Sequence, residues 1–303
     1  MFNTPLLFII FNRPEITQKV FEEIKKQKPK YLFVAADGPR ENINDDFEKC
    51  TSARKIVLDG IDWDCEVKTL FRKENLGCGK GVSLAINWFF ENVEQGIILE
   101  DDCLPNHSFF SFCEVLLEKY KYNEQIYAIS GDNFQNGISR GNASYFFSNY
   151  VFVWGWATWR RAWEKYDFNM EELDQFKKNN SICKIDKRKK FRDYWLNIFE
   201  EVAKKNIDTW DYQWVFSIWK NNALTILPNT NLISNIGFGE NATHTKGSSP
   251  FANLETVEIG VISHPDKIIV NKKADDYASD LVYNIKGSKN NILSRLINSF
   301  GRV

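Results

Sequence analysis

The stretch Gly96-Ile97-Ile98-Leu99-Glu100-Asp101-Asp102-Cys103-Leu104-Pro105 decides the fold. Ile97, Ile98 and Leu99 read as a short buried strand, apolar on both faces. Three carboxylates follow at once, and Pro105 stops the strand from continuing. Side by side, Glu100, Asp101 and Asp102 repel one another. A buried strand that opens onto such a tip makes chemical sense when a divalent cation sits there. Mg²⁺ and Mn²⁺ take oxygen ligands, with one or two carboxylates and substrate phosphates completing the shell. The bland alternative is an acidic surface turn, since turns are rich in Asp.

Upstream, strands and helices alternate. Pro5 to Phe11 is a buried strand, turned by Asn12-Arg13-Pro14 into a helix carrying Ile16, Val20, Phe21 and Ile24. Tyr31 to Ala36 is a second strand, ending in Asp37-Gly38. Cys65 to Phe71 is a third, ending in Arg72 and followed by Asn75-Leu76-Gly77-Cys78-Gly79-Lys80-Gly81 and a helix from about Val82 to Glu91. Such alternation predicts an α/β fold: a mostly parallel, Rossmann-like sheet flanked by helices. Ligands gather at the carboxyl ends of the strands in these sheets. Here those ends carry Asn12 and Arg13, Asp37, Arg72, and the Glu100-Asp101-Asp102 tip. The Gly-rich turn is not a P-loop, because Glu74 stands where the first Gly belongs and Gly81 where a hydroxyl belongs. A looser reading keeps its backbone N–H groups and Lys80 as partners for a diphosphate or ribose.

The totals narrow the classes. A chain of 303 residues accommodates one large α/β domain, placed at 1–250, with a C-terminal extension at 251–303. Thirty-nine basic against 40 acidic residues give no long-range pull toward nucleic acid. Ten Trp and 24 Phe suit a ligand with a flat apolar face as well as a core. The six cysteines form no Cys-x-x-Cys pair, which predicts reduced thiols and a cytoplasmic setting. Residues 5–11 are too short to cross a bilayer and read as the first strand.

Downstream, Phe109 to Tyr120 predicts a helix and Tyr127 to Ser130 a strand entering Gly131-Asp132-Asn133. Trp154, Trp156, Trp159 and Trp163 follow, and two readings stand: a ring-lined wall, or a core helix with helical spacing at 156, 159 and 163. Residues 177–193 are Lys- and Arg-rich and read as a solvated helix or loop. Trp210-Asp211-Tyr212-Gln213-Trp214 opens a helix, where Asp211 is either functional or simply favourable to the helix dipole. Ile226-Leu227-Pro228 is a further strand. Gly237-Phe238-Gly239-Glu240 leads to His244, a candidate ligand or a surface residue.

In order, these residues resemble the GT-A-fold nucleotide-sugar glycosyltransferases, and most of all the inverting N-acetylglucosaminyltransferase of N-glycan branching. Glu100-Asp101-Asp102 with Pro105 and Phe109-Phe110 is similar to that family's metal-binding stretch. Ile129 to Asn133 resembles the strand after it, Val153-Trp154-Gly155-Trp156 the Gly-Trp segment on the acceptor side, and Trp210 to Trp214 the segment holding the catalytic base. Tyr212 replaces an acid found there. The likeness spans roughly residues 5–245 and extends to bacterial sugar-nucleotide transferases and surface-polysaccharide enzymes.

The resemblance implies a transferase that moves a sugar from a UDP-sugar to a glycan or lipid-linked acceptor. Asp102, and His244 late in the chain, would hold Mn²⁺ or Mg²⁺, with Glu100 and Asp101 nearby. Asn12, Arg13 and Asp37, with Arg72 and Lys80, would meet the nucleotide. Asp211 would be the base of an inverting displacement, with Asp132 and Glu240 as further acidic candidates on the acceptor side. Trp154 and Trp156 would line the sugar or acceptor pocket. The alternatives are a sugar-phosphate nucleotidyltransferase and an inactive sugar-binding or scaffold protein. In residues 291–303, Ile292, Leu293, Leu296, Ile297 and Phe300 form one helical stripe, which either docks on the protein's own core or meets an anionic membrane face.

Overall fold

The computed structural model describes residues 2–238 and 249–286. The first half follows the alternation read above: β1 (Leu6–Ile10), α1 (Pro14–Gln27), β2 (Tyr31–Ala36), α2 (Asp46–Gly60), β3 (Glu66–Phe71), α3 (Gly77–Asn92) and β4 (Gln95–Glu100). Pro14 sits in the first turn of α1, where its missing N–H costs nothing. Helix α3 begins at Gly77, a turn earlier than the sequence suggested, so the Gly-rich stretch is the start of a helix.

The second half adds β5 (Cys103–Pro105), α4 (His107–Lys119), β6 (Ile126–Ser130), β7 (Tyr145–Ser148), β8 (Trp156–Trp159), α5 (Arg160–Trp163), α6 (Leu173–Lys178), α7 (Lys189–Ala203), α8 (Asp211–Lys220), β9 (Leu224–Pro228), β10 (Ile233–Asn235) and α9 (Lys272–Val282). The main sheet runs β3-β2-β1-β4-β8-β6-β9-β7, and β5 pairs with β10 beside it. The β3-β2-β1-β4 block is parallel, as is β6-β9; β8 runs antiparallel to both β4 and β6, and β7 to β9. The result is an α/β, Rossmann-like architecture.

Side chains alternate across the strands, so each face of the sheet gets its own core. Leu7, Phe33 and Ile98 meet α3 through Val82, Ile86 and Phe89 on one face. Leu6, Phe8 and Leu99 meet α1 and α4 through Val20, Phe21, Phe109 and Leu116 on the other. Within the Lys/Arg-rich stretch most charged residues are exposed while Ile182, Ile185 and Phe191 are buried, and α7 continues that stripe beyond it with Trp195, Phe199 and Val202. From residue 249 the chain runs beside β10 and the β7 edge, with the Asn253 N–H donating to Asn235 O at 3.0 Å and the Asn271 N–H to Phe147 O at 2.8 Å. Phe251 packs edge-on against Phe134, with centroids 5.2 Å apart. Helix α9 is clasped by Arg188, which pairs with Asp186 and Asp280, each at 2.6 Å. Among the described residues no helix is long and apolar enough to cross a membrane. The 291–303 stripe lies outside the described residues.

Candidate active site

Strand β1 is flanked by β2 on one side and β4 on the other, so the chain reverses its direction of winding there. In open α/β sheets the crevice at such a point receives the ligand. A cleft of about 460 Å³ opens at this place, lined by the ends of β1, β2 and β4 and by residues 208–211 and 235–238.

The acidic tip forms its floor. Asp101 is buried and accepts from the Phe11 N–H at 3.3 Å and from Arg13 Nη2. Arg13 Nη1 donates to Asp102 Oδ2 at 3.1 Å. Burial and the neighbouring Asp102 and Asp101 carboxylates push Glu100 up to about 8. Among the described residues no three His, Cys, Asp or Glu side chains converge in a metal-ready group. Glu100 and Asp102 both line the cleft, however, and three carboxylates face one guanidinium. That charge surplus suits a partial donor set, of the kind a hard cation completes with phosphate oxygens and water.

The nucleotide-side candidates separate. Asp37 lines the cleft, and its Oδ2 accepts from the N–H groups of Leu76 (2.8 Å) and Gly77 (3.1 Å). Its Oδ1 is buried with no partner. Burial raises Asp37 above its ordinary value. Arg72 also lines the cleft and donates to Gly81 O at 3.2 Å. Asn12 does not line it: its amide donates to Asp46 Oδ1 at 2.6 Å, where Arg40 also binds. Lys80 is a second correction. It is exposed and lies in a separate surface depression with Ser83 and Asn87. At about 100° per residue, Gly77, Cys78 and Gly81 share an arc of roughly 100° that lines the cleft, and Lys80 falls just outside its edge. The first turn of α3 is no open phosphate cradle either, because Cys78 and Gly79 donate to Asp208, each at 3.0 Å.

The opposite wall carries Asp211 at the start of α8, accepting from Thr209 Oγ1. Trp154 lines the cleft, edge-on to Phe134 (5.4 Å) and Phe238 (5.7 Å). Trp156 does not. It lies within β8, fully buried, stacked on Trp210 with centroids 5.7 Å apart. The two readings of the Trp run therefore divide between residues: Trp154 joins the cleft wall, Trp156, Trp159 and Trp163 go to the core, and the helical spacing is corrected, since 156–159 is a strand and only 160–163 is helical. Asp132 is buried behind Trp154, and burial pushes its carboxyl well up. His244 and Glu240 lie outside the described residues.

Three cleft residues escaped the sequence reading. Asp208 is one; Cys78 is another, its thiol pushed well up by burial and by Glu100 and Asp211, so it stays protonated. Gly237 is the third: a Cβ there would lie 2.2 Å from Asp102 Oδ2. The glycine punctuation at 237 was a signal for it; nothing local marked Asp208.

No protein-family model and no curated protein matches the chain. Among solved structures it is similar to residues 1–349 of S. aureus TarS, at 10% identity and TM-score 0.41, over 76% of this chain and 59% of that one. It is similar to an apo UDP-glucose pyrophosphorylase at 8% identity and TM-score 0.35, over 74% and 90%. It is also similar to 4-diphosphocytidyl-2C-methyl-D-erythritol synthase from Anaerococcus prevotii DSM 20548, at 7% identity and TM-score 0.35, over 74% and 86%. The chain thus spans less than two thirds of the TarS fragment, and likenesses this distant carry no argument about chemistry.

Proposed function

We propose that this chain is a metal-dependent glycosyltransferase of the GT-A build. It would move a sugar from a nucleoside-diphosphate donor, UDP-linked, to a hydroxyl of a glycan or lipid-linked acceptor, with inversion. The observation that carries the reading is that Glu100 and Asp102, at the carboxyl end of β4, and Asp211, at the start of α8, line one cleft at the switch point of the sheet.

Glu100 and Asp102 would hold Mn²⁺ or Mg²⁺, with His244 as a further ligand. Such a cation, when bound, supplies positive charge against the departing diphosphate. Asp211 takes the proton of the acceptor hydroxyl as that oxygen bonds to the anomeric carbon and the bond from that carbon to the phosphate oxygen breaks. The partnerless, buried Oδ1 of Asp37 suits an N–H donor such as the imide of uracil. Arg13 holds the acidic tip in place, and Trp154 with Phe238 offers ring faces to a sugar.

A panel of nucleotide sugars, scanned by thermal shift with and without Mn²⁺, tests donor choice, since a ligand of the folded state raises the melting temperature. Release of nucleoside diphosphate that requires Mn²⁺ and is lost in Asp102→Asn supports the reading. Formation of pyrophosphate from a nucleoside triphosphate and a sugar phosphate points to a nucleotidyltransferase instead. Binding with neither turnover points to a sugar-binding protein.

A further inference from the structure

The first turn of any helix leaves four backbone N–H groups without helical partners. Around the start of α3 they are divided between two carboxylates from opposite walls of the cleft. Asp37, at the end of β2, takes Leu76 and Gly77; Asp208, just before α8, takes Cys78 and Gly79. The approach of Asp208 depends on glycine. A Cβ at position 77 would lie 2.5 Å from Asp208 Oδ2, and one at position 79 would lie 2.7 Å from Oδ1 and 2.8 Å from Thr209 O. Beyond Asp208 the contacts continue toward Asp211: Thr209 Oγ1 donates to the Asp211 carboxylate, and Gln213 Nε2 donates to Thr209 O at 2.7 Å.

We propose that Asp208 is a positioning residue: it fastens the base-bearing start of α8 to α3, so that the donor side and the base side of the cleft are held as one body. The proposal rests on the reading of Asp211 as the base. A plain helix cap would secure α3 alone. A positioning residue must secure residues 209–214 as well, because a base displaced by about 1 Å loses on the order of 10²-fold in rate.

Hydrogen–deuterium exchange and steady-state kinetics on the full chain test this. In Asp208→Ala the amides of residues 77–80 and of 209–214 should exchange faster together. The kcat should fall on the order of 10–10²-fold, while the donor-dependent thermal shift changes by less than about twofold in affinity. Asp208→Asn, which keeps one acceptor oxygen, should recover part of both effects. Gly79→Ala keeps the carboxylate but blocks its approach, and should reproduce Asp208→Ala. Faster exchange confined to 77–80, or an unchanged kcat, overturns the proposal. Absence of turnover in the wild-type protein overturns the reading of Asp211 instead, and is distinguishable because the exchange coupling does not depend on turnover.

Discussion

Arg13 Nη1 lies 3.1 Å from Asp102 Oδ2 and so ties the end of β1 to the tip of β4 across the mouth of the switch point. The same guanidinium contacts Asp101, which is buried. Its own ionisation is held more firmly than usual by Asp101 and Asp102 against the cost of burial. Removing Arg13 leaves a buried carboxylate without its cation. Arg13→Ala should therefore destabilise the fold by about 3–5 kcal/mol, the usual cost of breaking a buried pair from one side. Arg13→Lys should recover only part, because a point charge cannot reach two carboxylates in the fork geometry. Urea unfolding of the three proteins checks the order; equal stabilities would show that the pair is solvated.

Gly237 tests the cleft floor without removing a charge. A Cβ there would lie 2.2 Å from Asp102 Oδ2 and 2.7 Å from Arg13 Nη1, so Gly237→Ala forces the acidic tip to shift. The expected outcome is a rise of about tenfold or more in the Mn²⁺ concentration needed for half-maximal donor binding, if metal affinity loses about 1.4 kcal/mol. A titration identical to wild type would mean that residues 236–238 simply yield.

Asp211→Asn separates chemistry from binding. The amide keeps the size and a hydrogen-bond acceptor for Thr209 but is no base, so kcat should fall about 10²–10⁴-fold with donor binding nearly intact. Loss of folding without a separable rate effect would return Asp211 to a helix-start role.

The parallel half of the sheet could be read almost to the residue, because buried strands write continuous apolar runs and end in polar turns. Tyr31–Ala36 is the clearest case. Asp102, Asp37 and Arg13 were marked by the same logic, as polar groups just after such runs, whereas Asp211 opens a helix and was marked by the resemblance of residues 210–214. What stayed hidden depends on residues distant in sequence. Gly77 to Gly81 looked like a loop because glycine is a poor helix former; the carboxylate that completes the cap, Asp208, comes from about 130 residues away. Trp156 had helical spacing with Trp159 and Trp163, and only pairing with β4 and β6 makes it a strand residue. Asn12 stood beside Arg13, but Asp46, brought in by α2, claims its amide.

Two aspartates outside the acidic tip should give the stability curve slopes of opposite sign. Asp46, at the start of α2, is held down to about 2 by hydrogen bonds from Arg40, against burial, and by Asn12. It contributes about 2 kcal/mol above its unfolded pKa, lost as pH falls from about 4 toward 2. Asp275 on α9 is pushed up to about 6 by burial, although Ser148 Oγ (2.6 Å) and Asn149 Nδ2 (2.8 Å) donate to it. Its folded form holds the proton more tightly than the unfolded chain does. That stability is fully present below about pH 4 and is lost as pH rises through 6, by about 3 kcal/mol. The stability gap between wild type and Asp46→Asn should therefore shrink on going from pH 6 to pH 3, as the wild-type advantage disappears. Asp275→Asn, which cannot ionise, should gain on wild type between pH 4 and pH 7. Unfolding free energies measured every half unit of pH give both curves, and parallel curves for either variant would mean that its carboxylate titrates alike in the folded and unfolded chains.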